Sequence, residues 1–425
     1  MVQIYSSYLK VEIFLYTLKM HKDLLYLVSS HLTDRDRLKL KLYCHTVYFK
    51  FINDFKLCCI NNYIISIKIL SLINNNLNWD RGLRYACQGG HRDLVDFMIE
   101  KGASHWDYGL KGACRGGACC AGGHCPHCDI VDLMIEKGAG NWNWGLEAAC
   151  QGGHCDLVDL MIEKGANDWD DGLQYSCRGG HRNLVDLMIK KGANYWDEGL
   201  REACWGGHRD LVDLMIEKGA KDWNQGLWSA CICGYCDIVK LMIEKGANDW
   251  DGGLHYACEY GYCDIAKLMI QKGATNWNEG LESACHGGHR DIVDLLIENG
   301  ANDWNGGLES ACKGGYRDIV DLMIKNGAND WNAGLYCACQ GGYCDIVKLM
   351  IENGANGWNW GLELACQDGH RDLVNLMIEK GANNWNWGLR SACKGGHLDL
   401  VNLMIENGAT YCRYCQRDAD DHLLS

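Results

Sequence analysis

From about residue 79 to residue 411 the chain restarts one motif every 27 residues, each time on a tryptophan. The openers run from Trp79, Trp106, Trp142 and Trp169 to Trp358 and Trp385, twelve in all, and only the interval from Trp106 to Trp142, at 36 residues, departs from the period. That repeat therefore carries nine extra residues. A strict period of this size predicts a solenoid, in which each repeat packs only on its neighbours. A chain built this way is suited to holding a partner rather than to turning over a substrate.

Charge divides the chain. Residues 1–75 carry ten Lys/Arg against five Asp/Glu, so the rest must hold a net of -19 to reach the total of -14. Four of the five phenylalanines (Phe14, Phe49, Phe51 and Phe55) also lie in this first segment. The composition break predicts a helical N-terminal region over 1–75, a repeat array over 76–411 with its insertion within 115–128, and a tail over 412–425. An acidic array repels phosphate backbones, so nucleic acid is not an expected ligand. No apolar run approaches the roughly 20 residues that span a bilayer, so no membrane partner is expected either. The first 19 residues are interrupted by Lys10, Glu12 and Lys19 and make a poor signal peptide. The 27 cysteines then point to a cytoplasmic chain rather than to a secreted disulfide framework.

With the tryptophan as position zero, leucine stands at +4 in every repeat, alanine at +7 (serine once, Ser176) and cysteine at +8. At about 100° per residue these share one narrow arc of a helix. Gly-Gly at +10 and +11 ends that helix in most repeats. Asp at +14 suits an N-cap or first turn, and Leu/Ile-Val-x-Leu-Met-Ile from +15 to +20 gives a second helix with a broad apolar face. Lys/Asn-Gly-Ala follows, the glycine suiting a left-handed C-cap. Each repeat thus reads as two short helices and two tight turns, neither helix being able to bury its apolar face alone. A tryptophan at fixed phase is expected to form a core ladder between repeats.

Gly-His before the second helix, Asp-Leu-Val-x-Leu-Met-Ile within it, and Lys-Gly-Ala-Asn after it resemble ankyrin repeats; Gly-Leu-x-x-Ala-Cys stands where that family has Thr-Pro-Leu-His-x-Ala. The repeat is shorter than the roughly 33 residues usual there, and Pro126 is the sole proline. The missing residues fall where the family carries its β-hairpin finger. The expected fold is an all-α, ankyrin-like helical solenoid with truncated hairpins, preceded by a small helical region. Such shortened arrays look like those encoded by giant DNA viruses of amoebae.

Positions +2, +5, +6 and +9 vary freely between repeats while +4, +7 and +8 barely change, and the variable set clusters on the opposite side of the first helix. In arrays of the family this chain resembles, the first helices line the concave surface, so this set is where a protein partner is expected. The candidates are Tyr108, Trp144, Arg178, Arg201, Trp205, Trp228, His255, Tyr336, Trp360, Trp387 and Arg390. Drift of solvated positions would also produce a variable face. Five tryptophans on it (Trp144, Trp205, Trp228, Trp360 and Trp387), read as exposed, favour recognition. Helices packed about 8–10 Å apart would give twelve repeats a groove on the order of 100 Å long.

The +8 cysteines recur at that same spacing, beyond disulfide reach, and read as small buried hydrophobes. The +12 histidines read as hydrogen-bonded to backbone at the turn. Within the insertion, Cys125-x2-Cys128 has zinc-knuckle spacing and Cys119 or Cys120 could complete four ligands, yet Gly122-Gly123-His124-Cys125 also echoes the repeat's own Gly-Gly-His-Cys at 152–155, as a slipped duplication would. A metal- or redox-responsive role is the alternative these residues leave open. Residues 24–52 are similar to an F-box, with Leu24, Leu25, Val28, Leu32 and Leu38 in its pattern but no Leu-Pro at the start. That resemblance implies a Skp-type adaptor of a cullin ubiquitin ligase as partner. An end cap for the array accounts for the same residues. The chain shows no Gly-rich phosphate loop, Ser elbow or His-Glu-x-x-His, so neither an enzyme nor a cofactor is expected. A monomer is the expected state.

Overall fold

The computed structural model describes residues 77–117 and 126–410. These residues form 24 helices and no strand, two helices to each repeat. They fall into two compact units that divide between Tyr195 and Trp196, where a repeat opens. The expected all-α solenoid is what forms.

One repeat of the N-terminal unit shows how the motif folds. Asn141 caps the first helix, Trp142–Gly152, by accepting the Trp144 N–H on its side chain at 3.2 Å. Leu146, Ala149 and Cys150 have no exposed surface. Gly153 then takes φ +79°, and the turn closes as His154 N–H donates to the Ala149 carbonyl at 3.0 Å. The second helix, Cys155–Lys164, starts at His154, whose side chain makes no capping bond, so Asp156 acts through the first-turn dipole rather than as the cap. It buries Leu157, Val158 and Met161. Leu160 and Ile162 stay half-buried, so the apolar face is narrower than the pattern suggested. Gly165, at φ +111°, ends the helix and turns the chain so that Ala166 is buried.

The C-terminal unit repeats this arrangement. In both units, first helices pack broadly on the first helices of neighbouring repeats, and second helices touch one another at fewer points. The glycine at +3 is what lets the layers close. A Cβ on Gly226 would lie 2.6 Å from Met242 Sδ of the same repeat and 3.4 Å from Cys204 Sγ of the preceding one. A helix-weakening glycine is thus kept because a methyl group has no room. Five arginines at +13, Arg209 with Asp213 among them, pair with an aspartate one turn on; these pairs are exposed and contribute about 0.3–0.5 kcal/mol each.

The opening tryptophans depart from the expected ladder. Every one is half-buried. Their rings lie on their own repeat's second helix: Trp169 under Lys191 at 5.5 Å, Trp79 edge-on to Phe97 at 6.3 Å, Trp277 against Gly300. The deeply buried side chains of nearly every repeat are instead Leu +4, Ala +7, Cys +8 and Met +19 (Leu296 once).

What replaces the missing hairpin is the Asp or Asn at +1. Its Oδ1 accepts the two backbone N–H groups just before the next tryptophan: Asp80 from Ser104 and His105 at 2.7 and 2.8 Å, Asn278 from Asn302 and Asp303 at 2.7 and 3.1 Å. The same clamp joins repeats throughout both units. Two chain-anchoring hydrogen bonds per repeat stand in for a β-ladder. Asn278→Ala should lower stability by about 1–2 kcal/mol, while Asn278→Asp, the residue five other repeats use, should be close to neutral. Urea midpoints of the two variants check this, and equal midpoints would remove the clamp's role.

Candidate functional site

The first helix buries +3, +4, +7 and +8; of the variable set, +2 and +9 are exposed or half-buried in both units, +5 is mostly half-buried, and +6 is buried or half-buried in every repeat, so the outward side is narrower than the variable set. An open depression on this face lies among Asp197, Glu198, Arg201, Asp222 and Gln225. The face suits a macromolecular surface better than an enclosed small molecule.

In the N-terminal unit, Tyr108 and Trp144 stack face to face, centroids 5.6 Å apart and planes 4° from parallel. Lys111 sits over the Trp144 ring at 5.4 Å and forms a 2.6 Å ion pair with buried Glu147. Arg178 joins Arg84 and Arg115: burial first, then these two neighbouring guanidiniums, lowers the Arg115 pKa. This part of the face is basic and aromatic. Trp144 is half-buried, because the tyrosine and lysine cover it.

In the C-terminal unit, Arg201 pairs with Glu202 at 2.8 Å, and Trp205 is 40% exposed. Trp228 is half-buried, its Nε1–H donating to Asp249 Oδ2 at 3.0 Å, so it braces two repeats rather than projecting. His255 meets Ser283 Oγ through Nδ1 at 3.0 Å, with Glu259 and Glu279 carboxylates 3.7 and 3.6 Å from its ring nitrogens. The serine, histidine and carboxylate evoke a nucleophilic triad. However, Ser283 Oγ–H also donates to the Glu279 carbonyl of its own helix at 3.0 Å, the back-bond common to serines within helices. Further on, burial and then Asp303 raise the Glu282 pKa, and burial and then Asp330 raise that of Glu309. This acidic stretch ends in aromatic rings: Tyr336 beside Trp360 at 6.2 Å, and Trp360 beside Trp387 at 5.6 Å. Exposed Arg390 follows on the helix of Trp387.

Of the five face tryptophans, Trp205, Trp360 and Trp387 are exposed as expected; Trp144 and Trp228 are not. The reason is inter-repeat: a +5 residue meets the +2 and +6 residues of the next repeat. Glu147, Glu282, Glu309 and Glu363 were not singled out from the sequence, although a table of +5 against the next repeat's +2 would have paired Lys111 with Trp144.

The histidines at +12 do bond backbone, but across repeats: His181 Nε2–H donates to the Gln151 carbonyl at 3.2 Å and His397 to that of Gln367 at 3.0 Å. The +8 cysteines form no disulfide and, Cys393 excepted, are buried. Among the described residues no group of three or more His, Cys, Asp or Glu could hold a metal ion. Cys128 lies half-buried in the first turn of the helix Pro126–Lys137, while Cys119, Cys120 and Cys125 lie outside the described residues. So do Leu24, Leu25, Val28, Leu32 and Leu38. No described helix is long and apolar enough to cross a membrane.

No curated protein matches the chain. A family model does: that of ankyrin repeats in three copies matches residues 200–280, 254–334, 281–359, 308–386 and 335–418. These matches together cover just over half of the chain, and the N-terminal unit carries the same 27-residue motif, once with a nine-residue insertion. With its paired helices, its glycine-closed turns and this match, the chain belongs to the ankyrin-repeat family.

Proposed function

We propose that the protein is a cytoplasmic scaffold whose first-helix faces dock a protein partner, with no reaction of its own. Ankyrin repeats indicate protein–protein interaction in general. The observation that carries the finer reading is the aromatic area left on the variable side: Tyr108 is 39% exposed, Trp205 40%, Trp360 53% and Trp387 48%. Large rings half in water are costly to leave uncovered and are what interface anchors look like. Tyr108, Trp144 and Arg178 serve the N-terminal unit. Arg201, Trp205, Trp228, His255, Tyr336, Trp360, Trp387 and Arg390 serve the C-terminal one, with Trp228 and His255 bracing the face and the others meeting the partner.

Capture from lysate of the cell that makes the protein tests this. A protein held by the wild-type chain should be lost when Tyr108, Trp205 and Trp360 are all changed to serine, with helical content retained. Equal capture by both would turn the assignment away from this face. We extend the reading to residues 1–75, where the F-box resemblance supports a Skp-type adaptor held by Leu24, Leu25, Val28, Leu32 and Leu38. The array would then select a substrate for a cullin-type ubiquitin ligase, in keeping with the likeness to viral arrays that act on a host. Leu32→Asp should abolish adaptor recovery without affecting the array's own partner; adaptor recovery unchanged by Leu32→Asp would leave this segment as a cap. The scaffold would act as a monomer.

A further inference from the structure

Three rings near the end of the C-terminal unit do not form a closed stack. Tyr336 comes from +5 of one repeat, and Trp360 and Trp387 from +2 of the next two. The planes of Trp360 and Trp387 stand 83° apart at 5.6 Å, and Tyr336 lies 45° from Trp360 at 6.2 Å. Both indoles keep about half their surface in water, 53% and 48%. The rings therefore make an open corner.

The charges around this corner select for a cation. Among the variable positions of the four repeats opening at Trp277, Trp304, Trp331 and Trp358, four are glutamates and only Lys313 is lysine or arginine. Asp303 and Asp330 cap helices in the same stretch. Burial and then Asp330 raise the Tyr336 hydroxyl, so this aspartate reaches the corner electrostatically. Indole faces are themselves attractive to cations.

Glu363 supplies the second, independent sign. Ser391 Oγ–H donates to its Oε1 at 3.5 Å, but its Oε2 is buried with no hydrogen-bond partner. A buried acceptor left unmatched is costly and marks a place where a donor belongs. Elsewhere a +5 residue meets both +2 and +6 of the next repeat, as His255 meets Glu279 and Ser283. The same register sets Glu363 beside Trp387 as well as Ser391.

We propose that this corner receives an alkylammonium group from a lysine-bearing basic peptide segment. The ammonium lies against Trp360 and Trp387, the Glu363 side chain turns its buried Oε2 outward to accept an N–H from it, and the segment runs along Glu309 and Glu282. The requirement for an N–H sets lysine apart from a quaternary ammonium, which has none. Arg390 and Lys394 follow Trp387 on its helix and set the direction, since a basic segment is repelled from that end. The proposal rests on the first-helix face being the docking surface and names the chemistry of what docks there.

Fluorescence anisotropy tests it, using the full chain and a labelled nonapeptide of alternating glycine and lysine. Matching peptides carry Nε-acetyl-lysine or Nε-trimethyl-lysine. The lysine peptide should bind about ten-fold or more tightly than the acetyl peptide, and more tightly than the trimethyl one. Glu363→Gln, which keeps the shape, and Trp387→Ala should each weaken the lysine peptide by about ten-fold, with circular dichroism unchanged. Should Trp387→Ala fail to fold, Glu363→Gln alone decides. Equal binding of lysine and acetyl-lysine peptides overturns the proposal, as does wild-type affinity in Glu363→Gln; tighter binding of the trimethyl peptide overturns the Glu363 hydrogen bond. A cellular partner lost from the triple-serine variant but kept by Glu363→Gln would sink the ammonium corner and leave the docking face standing.

Discussion

Between about pH 9 and pH 11 the C-terminal unit should lose most of its stability, well before ordinary helical domains do. Burial pushes the thiols of Cys204, Cys231, Cys258, Cys285, Cys339 and Cys366 up to about 12. In the unfolded chain they titrate at roughly 8.5. Below that value both states hold the proton, and the thiols' contribution is complete. Above it the unfolded state releases protons that the folded state retains, so each thiol weakens folding by about 1.4 kcal/mol per pH unit, until the folded pKa is reached. Six such groups in one unit sum to on the order of 8 kcal/mol per pH unit, comparable with the whole stability of a domain. Helical signal followed against pH at constant ionic strength measures the midpoint. Changing Cys231, Cys258 and Cys285 together to alanine should move it to higher pH, despite a small packing loss. A midpoint that stays put would mean that other groups drive the transition.

The second large effect concerns the turn glycine at +11. Gly288 sits at φ +77°, and a Cβ there would lie 2.2 Å from the Tyr316 ring of the next repeat. Gly396 holds the same position and nearly the same conformation, φ +76°, with nothing within 4 Å. Alanine at Gly396 should cost about 1–2 kcal/mol, for left-handed backbone alone. Alanine at Gly288 adds overpacking against a ring held between two repeats, about 1–3 kcal/mol more. Thermal or urea unfolding of the two variants gives the difference. Equal losses would show that the +12 ring moves aside freely and is no part of the seam.

That pairing explains the Gly-Gly of the motif more fully than chain termination does. The sequence alone read it as a stop. In the structure, the first glycine leaves room for its own repeat's His or Tyr, as a Cβ on Gly314 would meet Tyr316 at 2.5 Å, and the second leaves room for the ring of the following repeat. The +1 Asp or Asn passed unnoticed for a related reason. Its partners lie 24 and 25 residues away, and helical periodicity carries no information at that distance. The cap at −1 was within reach, since Asp or Asn before a helix is a recognised start signal, and Asp222 caps the next first helix by accepting Gln225 N–H at 3.1 Å. The opening tryptophan misled because invariance was equated with depth; the ring is held at the end of its own repeat's second helix instead.

Periodicity by itself determined the paired helices, their boundaries to within a residue or two, and the side of each helix that turns inward, because a helix places residues by spacing alone. It also set apart the variable face, since +4, +7 and +8, the positions buried alike in nearly every copy, stay fixed, whereas +5 and +6 meet the next repeat through pairs that change from copy to copy. Only the tertiary structure decided how far each face residue stands in water and what its polar atoms meet. Trp228 is tied to Asp249 while Trp360 projects, although both are tryptophans on the same face. The difference lies in the neighbouring repeat, whose side chains come within hydrogen-bond range only once the stack has formed.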